Sequence, residues 1–173
     1  MTVIENFIQE DRLIFKFPAQ AMSSKYDNWS HYRNQFNSAF GGTKAVDMVY
    51  AAEDIAWLIE VKDYRVNSRT KAIDLADEVA LKVRDTLAGL VSARLHANDA
   101  DEKRVAEALL RKRHLRVVLH LENPRSLSRL QPNLIEPVTV LQKLKQLIRS
   151  VDPHPYVVNQ DSIKPGMNWT VQG

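Results

Sequence analysis

The sequence contains no cysteine, which excludes disulfide bonds, thiolate zinc sites and thiol catalysis together. Only 5 of its 173 residues are glycine and 7 are proline, too few for a fibrous or low-complexity chain. No apolar run approaches the roughly 20 residues of a membrane span. The start, MTVIENFIQEDRL, carries acids where a signal peptide would carry bases. We therefore expect a soluble, cytoplasmic protein that does not associate with a membrane.

The composition is that of an ordinary globular protein, with 45% hydrophobic and 26% charged residues. The length predicts a single domain over residues 1–173 with room for a core. Charge is distributed unevenly, because residues 1–60 carry a net charge of −3 and residues 61–173 one of +6. A basic second half can face an anionic polymer, although a solvated surface is the simpler interpretation of charge alone.

The hydrophobic pattern predicts short strands interspersed with helices. The predicted helices cover about residues 3–10, 28–40, 70–95 and 99–113, and a last one begins at Pro137; the predicted strands cover 13–17, 45–50, 55–62, 115–121, 156–158 and 169–171. This mixture predicts an α/β (α+β) fold with a mixed central sheet that is flanked by helices on its faces.

Two charges stand inside the apolar stretch Trp57-Leu58-Ile59-Glu60-Val61-Lys62. Side chains alternate along a strand, so Leu58, Glu60 and Lys62 share one face. Burying a carboxylate and an ammonium is costly unless a partner compensates. The pattern therefore indicates a partner for Glu60 and Lys62 on that face.

The preceding strand supplies a candidate partner, Asp47. A turn over residues 51–54 would set Tyr50 opposite Ile55 and Asp47 opposite Leu58. Asp47 would then share a face with Glu60 at one diagonal step, about 7–8 Å between α-carbons. Two carboxylates and a backbone carbonyl are suitable ligands for Mg²⁺ or Mn²⁺.

These residue types suit phosphodiester hydrolysis, which requires neutralising phosphoryl charge and supplying a hydroxide-like nucleophile. A metal ion held by Asp47 and Glu60 can do both. Lys62 can orient the water, deprotonate it, or stabilise the developing charge, and the sequence does not choose among these roles. A nearby cation would lower the pKa of Lys62 and favour the role of base.

A structural interpretation competes with the metal site. Glu60 and Lys62 can form an ion pair on a solvated strand of an unrelated α/β domain, with Asp47 as a surface acid near a turn. The shared face with Asp47, the apolar flanks of both strands and the long helix that follows favour the metal site instead.

Val46-Asp47, twelve intervening residues and Glu60-Val61-Lys62 resemble the signature of the PD-(D/E)XK nuclease superfamily. The resemblance covers about residues 44–121. It implies a restriction-endonuclease-like αβββαβ core, Mg²⁺ or Mn²⁺ as cofactor and cleavage of nucleic acid, with DNA as the expected substrate. It also implies that Asp47, Glu60 and the Val61 carbonyl are metal ligands and that Lys62 is catalytic.

The chain departs from the family pattern in three places. Val46 replaces the proline of the family's name, and the helix predicted over residues 70–95 carries no Gln-x-x-x-Tyr motif. Some branches place a glutamate on a first helix, and no local motif selects Glu5 or Glu10 for that role.

We expect a metal-dependent deoxyribonuclease, endo- or exonucleolytic, with nucleic acid as its partner and a homodimer or a protein partner as further possibilities. Arg65, Arg69 and Lys71 follow the signature and are candidates for phosphate contacts. A polar connection between strand and helix explains those three residues equally well. The alternative function is a catalytically inactive module of the same fold that binds nucleic acid or protein.

Overall fold

A computed structural model describes residues 4–124 and 134–173. In these two ranges, eight strands form two sheets, and three α-helices lie between strands of the larger sheet. The strands are β1 (Phe7–Glu10), β2 (Leu13–Lys16), β3 (Met22–Lys25), β4 (Met48–Ala51), β5 (Ile55–Asp63), β6 (His114–Glu122), β7 (Tyr156–Val158) and β8 (Thr170–Gln172); the helices are α1 (Leu75–His96), α2 (Ala100–Leu110) and α3 (Pro137–Leu147).

The larger sheet has the order β3-β4-β5-β6-β7. Its first three strands are antiparallel, whereas β5, β6 and β7 are parallel. The antiparallel part needs only a tight turn between β4 and β5, and the parallel part uses helices as crossovers. The predicted α/β class with a mixed sheet is therefore confirmed.

The two faces of this sheet are covered differently. On one face, Leu58, Val117 and Leu119 pack with apolar residues of all three helices. On the other face, Trp57 and Ile59 pack with Phe15 of the small antiparallel sheet β1-β2-β8. The expected helices thus flank one face of the sheet, whereas in the described ranges the small sheet buries the second apolar face.

The amino-terminal prediction of a helix over residues 3–10 is wrong where the chain is described. Phe7–Glu10 is a strand that pairs with β2 through a turn at Asp11 and Arg12, and Asp11 has a φ of 51°. Ile8 is buried while Phe7 is 60% exposed, so the burial alternates as in a strand. Pairing with β2 overrides the helical spacing of the apolar residues.

The predicted aromatic helix over residues 28–40 is broken into three short pieces. A 3-10 turn covers Tyr26–Asn28, a π-helical turn covers Tyr32–Phe36, and a second 3-10 turn covers Ala39–Gly41. The remaining predicted elements are found, the strand over residues 156–158 with the predicted bounds and most of the others with shifted ends. The N-cap of α1 is Asp74 and that of α2 is Asp99, and each carboxylate accepts a backbone hydrogen bond.

Candidate functional site

The register of the β4–β5 hairpin places Asp47 and Glu60 directly opposite each other. Tyr50 pairs with Trp57 and Met48 with Ile59, so the next pair along the ladder is Asp47 and Glu60. The predicted pairing of Tyr50 with Ile55 is wrong by two residues. Side chains repeat every two residues, so a slip of two leaves Asp47 on the predicted face and moves it closer to Glu60.

Contacts with helix α1 and strand β5 hold Asp47 in place. Asp85 accepts a hydrogen bond from the Lys44 backbone N–H at 2.9 Å, and Thr86 Oγ1 accepts one from the Val46 N–H at 3.0 Å. Asp47 Oδ2 itself accepts a hydrogen bond from the Val61 N–H at 2.7 Å. The segment that leads into β4 is therefore fixed at both ends, and the Asp47 carboxylate is nine-tenths buried.

Glu60 lies at the centre of the cluster and is fully buried. Its Oε1 atom accepts hydrogen bonds from Lys62 Nζ at 2.5 Å and from Lys82 Nζ at 2.6 Å. Its Oε2 atom is buried with no hydrogen-bond partner among residues 4–124 and 134–173. Burial and the neighbouring Asp47 raise the pKa of Glu60 to about 7, against the opposing effect of the two lysines.

Lys62 is an ammonium in this environment. Burial would lower its pKa, but the carboxylates of Glu60 and Asp47 outweigh burial and raise the pKa. The lowering of this pKa that a bound metal ion would cause stays a prediction. Among these carboxylates the raised pKa of Lys62 favours the stabilisation of negative charge, one of the three roles left open by the sequence.

Lys82 was not among the residues selected from the sequence. Its Nζ lies 2.6 Å from Glu60 Oε1 and 3.5 Å from Asp47 Oδ1, and thus bridges the two carboxylates. The available signal was a row of charged residues beside the apolar stripe of α1: Glu78, Lys82 and Asp85 recur at spacings of four and three.

Two further acids lie close to Asp47. Carboxylate oxygens of Glu10, Asp27 and Asp47 lie within 4.8 Å of one another. Glu10 also pairs with Lys25 at 2.6 Å. Burial and the charge of Asp47 raise the pKa of Asp27 to about 6. Glu10 reaches this place from a strand, not from the first helix that the family resemblance implies.

The three predicted phosphate contacts have different surroundings. The Arg65 guanidinium donates to both carboxylate oxygens of Asp63, at 2.8 and 2.7 Å. Arg69 and Lys71 both pair with the buried Glu78, at 2.6 and 2.5 Å. The Lys71 side chain nevertheless stays 58% exposed.

A cleft of about 510 Å³ opens beside Lys62. Its charged lining residues are Asp11, Arg12, Lys62, Asp63, Arg69 and Lys71. Positive charges thus outnumber negative ones there. Of the three residues that were predicted to contact phosphate, Arg69 and Lys71 line the cleft, whereas Arg65 does not.

A comparison with curated proteins finds a partial match to an aminoacyl-tRNA ligase. Over 156 residues the chain is 34% identical to a cysteine–tRNA ligase of Neisseria meningitidis serogroup A. The match covers 73% of this chain and 22% of the ligase. The chain therefore spans about a fifth of the length of this curated relative. No family model matches the chain, and no solved structure matches it. In the part that the structure describes, no helix is long and apolar enough to cross a membrane.

Proposed function

We propose that this protein is a metal-dependent nuclease that hydrolyses phosphodiester bonds, with DNA as substrate and Asp47, Glu60 and Lys62 as its active centre. One observation carries the proposal. The carboxylates of Asp47 and Glu60, from neighbouring strands, converge on a single positive charge, the Lys82 ammonium, at 3.5 and 2.6 Å. Two carboxylates that already share one cation, the Lys82 ammonium, can form the core of a site for a metal cation.

The donor set fits Mg²⁺ or Mn²⁺, which prefer carboxylate and carbonyl oxygens. Asp47, Glu60 and the Val61 carbonyl would hold the ion, and the buried Oε2 atom of Glu60 retains unused acceptor capacity in the described chain. When bound, the ion would supply a water of lowered pKa and neutralise phosphoryl charge.

The lysine beside the acids has a separate task. Lys62 lies on the same strand face as Glu60, is held at 2.5 Å from its Oε1 atom, and borders the cleft. As an ammonium it can stabilise negative charge that develops on phosphoryl oxygens, in a site where burial strengthens the interaction. Loss of this charge would therefore reduce turnover more than substrate binding.

The order of elements supports the family assignment. Three antiparallel strands, β3 to β5, are followed by α1, α2 and then β6, which is parallel to β5. This order resembles the βββαβ part of a restriction-endonuclease-like core, with α2 as an additional helix before the last strand. Between residues 4 and 21 the structure contains strands and no α-helix, so the initial helix of that core has no counterpart there.

The cleft supports nucleic acid as the substrate class. It joins Lys62 to Arg12 and Lys71, and a polyanion gains affinity from cations placed along its backbone. The matched relative is named for tRNA, so RNA has to be tested beside DNA.

A catalytically inactive binding module is the second candidate. The same Lys82 contact that carries the first proposal favours it, because an ammonium permanently held between Asp47 and Glu60 would make a metal unnecessary. Such a protein would bind nucleic acid through the cleft without metal-dependent turnover.

Purified protein incubated with supercoiled DNA, linear DNA or tRNA in Mg²⁺ or Mn²⁺ separates these functions. We expect DNA cleavage by the wild type, loss of at least 100-fold with Asp47→Asn or Lys62→Met, and no loss with Glu53→Gln, an exposed acid in the hairpin turn. Cleavage of tRNA alone would change the substrate class. Equal cleavage by all variants would indicate a contaminant and overturn the proposal.

A further inference from the structure

Lys82 reaches the acidic pair from a different element than the rest of the site. It projects from α1, 22 residues after Glu60, and its side chain is 15% exposed. Lys62 Nζ contacts Glu60 Oε1, whereas Lys82 Nζ contacts Glu60 and also lies 3.5 Å from Asp47 Oδ1. Lys82 is thus the group that joins the two carboxylates.

Among the four groups Asp47, Glu60, Lys62 and Lys82, the charges balance only when Lys82 is counted. Asp47 and Glu60 carry two negative charges when ionised, and Lys62 and Lys82 carry two positive ones. An uncompensated buried charge is costly, so this pairing lets the fold keep two acids on adjacent strands. A divalent ion bound to the same oxygens would instead leave an excess of positive charge.

We infer that Lys82 is the resident counter-cation of this site and that it competes with the divalent metal ion for Asp47 and Glu60. The inference rests on the proposed metal site and adds a determinant of its affinity. Ligands of Mg²⁺ lie at about 2.0–2.1 Å, so an ion bound by both carboxylates would come within a few ångströms of the Lys82 ammonium. Like charges at that separation repel strongly in a buried site.

Competition of this kind has two consequences. Lys82 lowers the affinity of the site for metal, so that filling it requires more Mg²⁺ than the two acids alone would need. Lys82 also leaves the acidic pair when metal binds, and its partly exposed side chain on α1 gives it a path toward solvent. It is therefore a positioning residue that tunes metal loading.

Isothermal titration with Mn²⁺ alone tests the inference without any substrate. We expect Lys82→Met to bind Mn²⁺ at least about tenfold more tightly than the wild type, because the competing charge is gone. Lys143→Met is the matched control. Lys143 likewise bridges two acids, Asp74 at 3.3 Å and Asp77 at 2.5 Å, but its side chain is 39% exposed. We expect its removal to leave Mn²⁺ affinity unchanged.

Glu60→Gln, in the wild type and in the Lys82→Met background, separates the two possible failures. If Glu60→Gln abolishes Mn²⁺ binding but Lys82→Met binds no tighter than the wild type, the competition is refuted and the metal site stands. If Mn²⁺ binding is absent from all variants, or survives Glu60→Gln, the proposed metal site itself is refuted.

Acylation of lysines in the wild-type protein gives a second measurement that does not depend on a variant folding. Modification by acetic anhydride, followed by mass spectrometry, reports the accessibility of each ammonium. We expect saturating Mg²⁺ to increase the labelling of Lys82 at least about threefold relative to Lys143, as its contacts with the carboxylates are lost. Unchanged labelling of Lys82 at saturating Mg²⁺ would overturn the inference.

Discussion

The carboxylate of Asp47 accepts a hydrogen bond from the backbone N–H of Val61, with 2.7 Å between Oδ2 and the nitrogen. Strand β4 begins one residue later, at Met48, so this side chain continues the pairing of the hairpin beyond its ladder. One acid thus has two tasks: it satisfies a buried donor of β5 and offers its other oxygen to a cation.

These two tasks can be separated by substitution. Asp47→Asn keeps an oxygen acceptor for the Val61 N–H and removes the charge, whereas Asp47→Ala removes both. We expect both variants to lose activity, and Asp47→Ala to be less stable than Asp47→Asn by about 1–2 kcal/mol because a buried donor is left unsatisfied. Urea denaturation monitored by circular dichroism measures the difference, and equal stability would show that the hydrogen bond contributes nothing.

The lowered pKa of Glu78 predicts how the free energy of unfolding changes in acid. Burial opposes its ionisation, but hydrogen bonds from Lys71 and Arg69 outweigh burial and lower the pKa from 4.5 to about 2. A folded-state pKa below the unfolded one stabilises the protein above pH 4.5, and this contribution is lost as the pH falls from 4.5 towards 2. We expect Glu78→Gln to reduce the free energy of unfolding by about 2 kcal/mol at pH 7, allowing for the exposure of Lys71.

Urea titrations of wild type and Glu78→Gln between pH 7 and pH 3 check this. The difference between the two proteins is expected to shrink below pH 4.5, since Glu78 is then protonated in the unfolded wild type but stays ionised in the folded protein until the pH approaches 2. A difference that stays constant over this range would exclude the ion pairs as the source of the stability.

Arg12 is predicted to contact the substrate in the cleft. It lies in the β1–β2 turn and lines the cleft with Lys62. Its guanidinium forms no ion pair or hydrogen bond within the described residues, although its charge acts on Asp63. We expect Arg12→Ala to weaken DNA binding in EDTA and to reduce the slope of log affinity against log salt by about 1. Fluorescence anisotropy with a labelled duplex measures both quantities.

Arg104→Ala provides the comparison for Arg12. Arg104 is an exposed arginine of α2 that pairs with Asp101, and it is not among the residues that line the cleft. We expect its removal to leave the salt slope unchanged. Equal effects of the two substitutions would indicate binding to general surface charge.

Gly89 permits the close packing of α1 on the aromatic side chains of Tyr26 and Phe36. A Cβ atom at this position would lie 2.0 Å from the Tyr26 hydroxyl and 3.2 Å from the Phe36 ring. We expect Gly89→Ala to destabilise the fold by about 1–3 kcal/mol, in spite of the better helix propensity of alanine. Adding Tyr26→Phe removes the clashing hydroxyl, and thermal denaturation should show partial recovery. Failure to recover would place the clash at Phe36.

The local pattern of β5 determined much of the candidate site. Alternation along Trp57–Lys62 placed Glu60 and Lys62 on one face, and the parity of the hairpin placed Asp47 on the same face. The exact pairing depended on the turn, and the observed register differs from the predicted one by two residues. Asp47 nevertheless stays on the predicted face, because side chains alternate along a strand with a period of two residues.

Long-range contacts were beyond such local reasoning. Glu10 was weighed as a helical glutamate, but β1 is a strand because β2 pairs with it. Lys82 reaches Glu60 because α1 packs on the sheet face that carries Leu58 and Glu60, and helical spacing alone does not specify which strand a charged side chain will meet. By itself the sequence determined residue types and faces, since these follow from backbone periodicity. The tertiary structure decided partners and distances, because they depend on how helix and sheet pack together.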